Sequence, residues 1–180
     1  MTAEAGDGSI MSDWADDIFT ALTGAGVRQA AYVPDAGHAR LIRRCHASSR
    51  MTAVPLTTEE EGIALLAGAW LGGDKGVLLM QSSGVGNCIN MLSLSRACEF
   101  PLLMLVTMRG QWREFNPWQL PMGRNSKRIL AAAGVAVTTV DRPAAVGAVV
   151  AKAAAHAFGK QGRAAVLLHQ KLMQRKTFGR

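Results

Sequence analysis

Apolar positions along the chain come in two textures, and the two alternate. Short continuous apolar runs, "VLLMQ" over 77–81 and "PLLMLVTM" over 101–108, are too brief for buried helices. They read as strands covered on both faces. Four weaker runs join them: "QAAYV" over 29–33, "MTAVP" over 51–55, "AVTTV" over 136–140 and "AAVLLHQ" over 164–170. Between them lie segments with helical spacing. One runs from a cap at Ser12 to about Thr23, where "GAG" (24–26) stops it. Others cover about 38–47, the stretch opening at Thr57, and the residues from the loop "SSGVGN" (82–87) to about Ala97. A short piece after Ser126 and a helix from Pro143 to about Phe158 complete the set. Turn chemistry in "GGDKG" (72–76) separates the third helix from the third strand. This alternation predicts an α/β fold: a doubly wound, mostly parallel six-stranded sheet with helices on both faces. One domain over 12–172 is expected, with a disordered lead-in at 1–11 and a basic tail at 173–180.

In such a sheet, ligands bind beyond the carboxyl ends of the strands. The loops expected there are 34–37 ("PDAG"), 57–61, 82–87 and 109–126. The second opens "TTEEEGIALLAGAW" (57–70), where three carboxylates stand directly before an almost wholly apolar helix. Thr58 and Glu61 fit a capping box, a hydroxyl at the N-cap and a carboxylate three residues on. Acidic groups in a first turn also suit the positive end of the helix dipole. Those effects account for Glu61 and one neighbour. A third carboxylate is left over on the ligand-binding edge.

Composition narrows the class. Lys and Arg number 20 against 13 Asp and Glu, a formal net charge of +7. The basic residues gather at 40–44, at 109–127 and in the tail "HQKLMQRKTFGR". No stretch interleaves aromatics with Lys and Arg as single-strand binders do, so no nucleic-acid partner is expected. Anionic small molecules or an acidic partner subunit fit better. No apolar run is long enough to span a bilayer, and no basic-then-apolar segment opens the chain. A cytoplasmic protein without a membrane partner is expected. Cys45, Cys88 and Cys98 are odd in number and lack CxxC spacing, which reads as buried free thiols. The four histidines, His38, His46, His156 and His169, show no metal-ligand spacing, so no metal site is expected in this chain.

Three features remain. "SSGVGN" could present its amides to an anion or be only a tight strand-to-helix turn. It lacks the GK[ST] of a P-loop and the third Gly of a dinucleotide fingerprint, where Ile89 stands. His38 falls on the functional edge and could meet a substrate. "RGQWREFNPWQLPMGR" carries Trp112, Phe115 and Trp118 beside Arg109, Arg113 and Arg124. Such a loop either packs its aromatics on its own domain or forms a subunit contact or lid beside a charged substrate. The second reading is preferred.

Taken together, "YVPD" (32–35), "TTEEEGIALLAGAWLGG" (57–73), "LLMQSSGVGNCINMLSLS" (78–95), "MRG" (108–110) and "NPWQLPMG" (116–123) resemble a known family. From about Trp14 to Leu172 the chain is similar to the pyrimidine-binding domain of thiamine diphosphate enzymes. It looks most like the α subunit of sulfopyruvate decarboxylase and the matching half of phosphonopyruvate decarboxylase. The resemblance implies that one Glu at the head of the "Ala-Gly" helix contacts N1′ of the cofactor's aminopyrimidine. Counting back from Ala67-Gly68 puts that role on Glu59, with Glu61 as the cap and Glu60 solvated or at an interface. It further implies cofactor contacts from Pro34, Asp35, Gln81, Ser82, Ser83, Gly84 and Asn87, and substrate contacts from His38, Arg109 and Gln119. A carboxylate suits the N1′ role, because proton exchange there favours the imino tautomer that can take up the thiazolium C2 proton.

Two departures qualify the likeness. The family's GDG motif with a downstream Asn, which holds Mg²⁺ and the diphosphate, is lacking, and the "GDG" at 6–8 has no apolar strand before it. A β subunit would have to supply that domain, in a hetero-oligomer that also self-associates. Phosphonopyruvate decarboxylases have "EPQH" where this chain has Pro117-Trp118-Gln119-Leu120, which favours the sulfopyruvate branch. The expected activity is therefore decarboxylation of an anionic 2-oxo acid, with sulfopyruvate leading. A phosphonopyruvate decarboxylase or carboligase subunit, and a non-catalytic α/β binding subunit, are the alternatives.

Overall fold

Strands Lys75–Gln81 (β3) and Leu102–Thr107 (β4) lie at the centre of the sheet, and each deals its side chains to two different cores. Val77, Leu79, Leu103 and Leu105 enter one apolar cluster, while Leu78, Met80, Leu102, Met104 and Val106 enter the other. A period of two over continuous apolar sequence thus fills both faces. The computed structural model describes residues 13–173.

Around these strands the chain runs helix Trp14–Gly24 (α1), strand Val27–Tyr32 (β1), helix Ala39–His46 (α2), strand Thr52–Pro55 (β2) and helix Glu59–Leu71 (α3). After β3 come the short helices Gly84–Cys88 (α4) and Leu92–Ala97 (α5), and after β4 the helix Leu120–Ala132 (α6). Strand Ala136–Val140 (β5), helix Val146–Gly159 (α7) and strand Arg163–Leu168 (β6) complete the fold. All six strands are parallel, in the order β2-β1-β3-β4-β6-β5. The expected architecture is present, and the sheet is wholly rather than mostly parallel. Ile18, Leu22, Leu41, Val150 and Ala154 cover one face; Ile63, Leu66, Leu92 and Leu130 cover the other.

Strand order reverses direction between β1 and β3, since β2 lies outside β1 and β3 lies on its other side. A crevice at the carboxyl ends of these two strands is the natural ligand position of such a sheet.

Four local expectations are corrected. Asp13 caps α1, its Oδ1 accepting from the Ala15 N–H at 3.0 Å; Ser12, the expected cap, lies outside the described residues, as do 1–11 and most of the basic tail. "SSGVGN" is mostly helix: α4 starts at Gly84, and the helix then breaks before α5. Gly84 and Gly86 give α4 too little helix propensity to propagate. α6 begins at Leu120, well before the expected short helix after Ser126. Pro121 is tolerated in its first turn, where its missing N–H is not needed, and Asn125 and Ser126 bond back to the Pro121 and Met122 carbonyls at 2.8 and 2.6 Å. The capping box expected at 58–61 does not form. Glu61 accepts from the Thr57 N–H at 2.9 Å, and the Thr58 hydroxyl turns to the Glu60 carboxylate instead of a backbone amide.

Candidate functional site

The first turn of α3 faces the first turn of α4, and glycine at 84 lets them meet. A Cβ on Gly84 would lie 2.4 Å from both Cδ and Oε1 of Glu59. Glu59 is consequently the buried member of the acidic triplet, at 7 % exposure, while Glu61 is exposed. Its Oε2 accepts from Asn87 Nδ2 at 2.7 Å. Burial, with the Glu59 and Glu60 carboxylates adding to it, pushes the nearby Cys88 thiol up to about 12. The three glutamates therefore do three jobs. Glu61 serves the helix start, Glu60 pairs with Thr58, and Glu59 is placed inside.

A hydrogen-bonded chain crosses the β1–β3 crevice. Asp35, just past β1, accepts from Gln81 Nε2 at 2.9 Å, the Thr107 hydroxyl at 2.6 Å and the Gly37 N–H at 3.0 Å. Gln81, the last residue of β3, accepts in turn from the Ser83 hydroxyl at 3.1 Å and from Gln119 Nε2 at 2.9 Å. Gln119 Oε1 is buried without a partner among the described residues. Ser82 is fully buried and accepts from the Arg109 N–H at 3.1 Å. The structure thus brings Asp35, Gln81, Ser83 and Gln119 into one network, and Glu59, Gly84 and Asn87 into an adjoining cluster. Pro34 is exposed on the loop beside Asp35.

His38 is corrected. It has no exposed surface, and its Nε2 lies 3.1 Å from the Leu105 carbonyl. A carbonyl only accepts, so Nε2 carries the proton, and Nδ1 is left buried without a partner among the described residues. Burial lowers its pKa and keeps it neutral. It stands at the start of α2 with its ring packed in the core, and in the isolated chain it offers no surface to a substrate.

Arg109 is also committed elsewhere. Its Nε donates to Glu114 Oε2 at 2.8 Å and its Nη2 to Glu114 Oε1, a bidentate pair. Glu114, with a side chain 3 % exposed, also accepts from Gly110 N–H, Asn116 N–H and Gln170 Nε2. The Arg109 guanidinium, above all, holds its carboxyl down at about 2. Gln170 in turn accepts from the Gln111 and Trp112 amides. The loop 109–116 is thus built around a buried ion pair. Sequence reasoning passed over Glu114, though it is the single carboxylate in 109–126, among three arginines. Thr107 was missed as well, hidden inside a strand.

Residues 12–117 match the family described as thiamine pyrophosphate enzyme, N-terminal TPP binding domain. The chain belongs to this family. The sulfopyruvate decarboxylase subunit alpha of Methanococcus maripaludis is 37% identical over 114 residues, 63% of this chain and 68% of that protein. Its counterpart in Methanothermobacter thermautotrophicus is 35% identical over 133 residues, 73% of this chain and 81% of that protein. The phosphonopyruvate decarboxylase of Streptomyces viridochromogenes is 39% identical over 98 residues, 54% of this chain but 25% of that longer protein. Among solved structures, a 2-oxoglutarate:ferredoxin oxidoreductase from Magnetococcus marinus superposes with a TM-score of 0.73 at 18% identity, covering 89% of this chain and 29% of that one. That likeness shows the fold. As a thiamine pyrophosphate enzyme domain, the chain carries its one well-buried carboxylate of the acidic triplet at the carboxyl edge of its sheet. No helix among the described residues is long and apolar enough to cross a membrane.

Proposed function

We propose that this chain is the α subunit of a thiamine diphosphate-dependent 2-oxo acid decarboxylase that converts sulfopyruvate to sulfoacetaldehyde and carbon dioxide. The observation that carries the reading is the placement of Glu59, buried at a helix head with a glycine turn pressed against its carboxyl. Packing alone gives no reason to bury a carboxylate there, which counts against a non-catalytic binding subunit. The names of the relatives supply the substrate.

The residues fit the cofactor. The donor set is one buried carboxylate, Glu59, held by the Asn87 amide at a turn where glycine at 84 leaves room for the carboxyl itself. When bound, thiamine diphosphate supplies a nucleophilic thiazolium carbon and an electron sink for the departing carboxylate. Glu59 holds the proton exchanged with the pyrimidine N1′, and Asn87 fixes the orientation of its carboxyl. Gln81, Ser83 and Asp35, with Pro34 on the same loop, present polar groups at the crevice for the cofactor, and the buried Ser82 supports them from beneath. Gln119 holds a buried Oε1 without a partner among the described residues, an acceptor for a donor on the bound molecule.

The match here is to the family's N-terminal domain, and the relatives are named as α subunits. A β subunit carrying GDG and a downstream Asn therefore holds Mg²⁺ and the diphosphate in this reading, within a cytoplasmic hetero-oligomer in which this chain also meets its own copy. Exposed Phe115 and Trp118, at 80% and 71%, support burial of that loop on assembly. The second reading, phosphonopyruvate decarboxylase, rests on the Streptomyces relatives.

The test is turnover by the co-purified subunits with sulfopyruvate, phosphonopyruvate and pyruvate. Preference for sulfopyruvate is expected. Preference for phosphonopyruvate would select the second reading, and no turnover of any 2-oxo acid would reject both.

A further inference from the structure

The arginines of this protein differ sharply in what they face. Arg40 pairs with Asp13 and Asp16, and Arg44 with Asp16, so that basic cluster serves the contact between α1 and α2. Arg109 is held by Glu114. Arg113 and Arg124, by contrast, have no carboxylate within ion-pair distance among the described residues. Both line one open groove of about 500 Å³ between the 109–116 loop and α6, together with Trp112, Glu114, Leu120 and Gly123. Because Glu114 is neutralised by Arg109, the groove carries the charge of its two free guanidinium groups.

Its geometry is fixed from below and from the side. A Cβ on Gly123 would lie 2.0 Å from the Arg109 carbonyl oxygen, so α6 rests directly on the loop's backbone. Arg113 adopts φ of 47°, a left-handed conformation that side chains other than Gly and Asn rarely take. Its guanidinium stacks 4.9 Å from the Trp112 ring centre, which holds the fork in place. Strain of this kind persists where the surroundings impose it, and it gathers at ligand clamps.

The groove is also joined to the Glu59 cluster. Gly110 lies against the Gln119 backbone, where a Cβ would meet the Gln119 carbonyl at 2.6 Å. Gln119 bonds Gln81, Gln81 bonds Ser83, and the next residue, Gly84, touches Glu59.

We propose that this groove takes the anionic end of the substrate, the sulfonate or phosphonate beyond the 2-oxo carbon, through Arg113 and Arg124. Arg109, the arginine singled out from sequence, positions the loop instead. The inference rests on the decarboxylase reading. A tetrahedral oxyanion group presents several acceptors, which two guanidinium forks can bind with charge-assisted bonds. Pyruvate has only a methyl group at that end and gains nothing from them.

The experiment compares the assembled enzyme with its Arg113→Ala, Arg124→Ala and Arg113→Lys variants, using sulfopyruvate and pyruvate. Each alanine variant should lower the selectivity for sulfopyruvate roughly ten- to hundredfold, through KM and with kcat little changed. Arg113→Lys should recover part of it. In parallel, methanesulfonate is titrated into the isolated chain while the arginine Nε–H resonances are followed by NMR. Saturable shifts of Arg113 and Arg124, absent from the alanine variants, are expected. Equal losses on both substrates, or unchanged selectivity, would overturn the proposal. If the assembled enzyme decarboxylates nothing, the functional reading fails, and the methanesulfonate titration still decides whether the groove binds the anion.

Discussion

Glu59, Glu60 and Glu61 are consecutive in sequence and separated in chemistry by the direction in which each leaves the helix. Only Glu59 points under the Gly84 turn. In the assembled enzyme, Glu59→Gln keeps the shape and the Asn87 contact but removes the exchangeable acid. C2–H exchange of bound cofactor should slow by roughly 10²-fold or more, the scale of lost general acid–base help, while Glu60→Gln should change it little. The count back from Ala67-Gly68 in the family's motif pointed to Glu59, which is the glutamate of the three that the fold buries, and the exchange measurement tests its cofactor role. His38 was misread for a physical reason. A histidine at a helix start looks the same in sequence whether its ring turns outward or bonds Leu105 inside.

Two residues also set a pH dependence of stability. Glu114 has a folded pKa of about 2, below its ordinary 4.5. Its contribution is complete above that ordinary value and is lost as pH falls towards 2. The shift corresponds to something on the order of 3 kcal/mol. His38 is likewise lowered from 6.5, so the folded state resists its protonation and loses stability as pH falls below that value. Denaturant midpoints measured from pH 7 to pH 3 should fall in both windows. Glu114→Gln should flatten the lower window and leave the upper one in place.

At the level of elements, strands were legible because continuous apolar runs of that length have few other uses. The start of α3 at the Thr58 cap was legible too, but the start of α6 was not. Pro121, Gly123, Asn125 and Ser126 are loop chemistry by composition, yet they open α6 because its first turn must lie against the Arg109–Gly110 backbone. Only contact explains that choice. Gly123→Ala should therefore cost more than helix propensity would return, on the order of 1–3 kcal/mol for overpacking against a backbone that cannot flex as a side chain does. Thermal unfolding of the isolated chain measures it, and an unchanged or raised Tm would contradict the packing. Removal of the Thr57 amide's partner by Glu61→Ala should cost about 1 kcal/mol. Thr58→Ala should cost less than Glu61→Ala, since its hydroxyl caps no amide.

As a whole, the molecule is built on one six-stranded parallel sheet, with Phe115 and Trp118 left exposed on its surface. The alternation of strands and helices disclosed the sheet. The network at its edge joins residues far apart in sequence, such as Asp35 with Thr107 and Glu114 with Gln170, and only the tertiary structure could pair them. Under the proposed function this chain reads the pyrimidine end of the cofactor and leaves the diphosphate to its partner. Metal-bridged contacts to the diphosphate should then dominate affinity. The most direct measurement is calorimetric titration of thiamine diphosphate, with and without Mg²⁺, into the isolated chain and into the complex co-purified with a GDG-bearing subunit, with sulfopyruvate turnover followed in both. The account predicts weak, Mg²⁺-independent binding and no turnover for the chain alone, against tight, Mg²⁺-dependent binding and turnover for the complex. Tight, Mg²⁺-dependent binding with turnover by the isolated chain would contradict it.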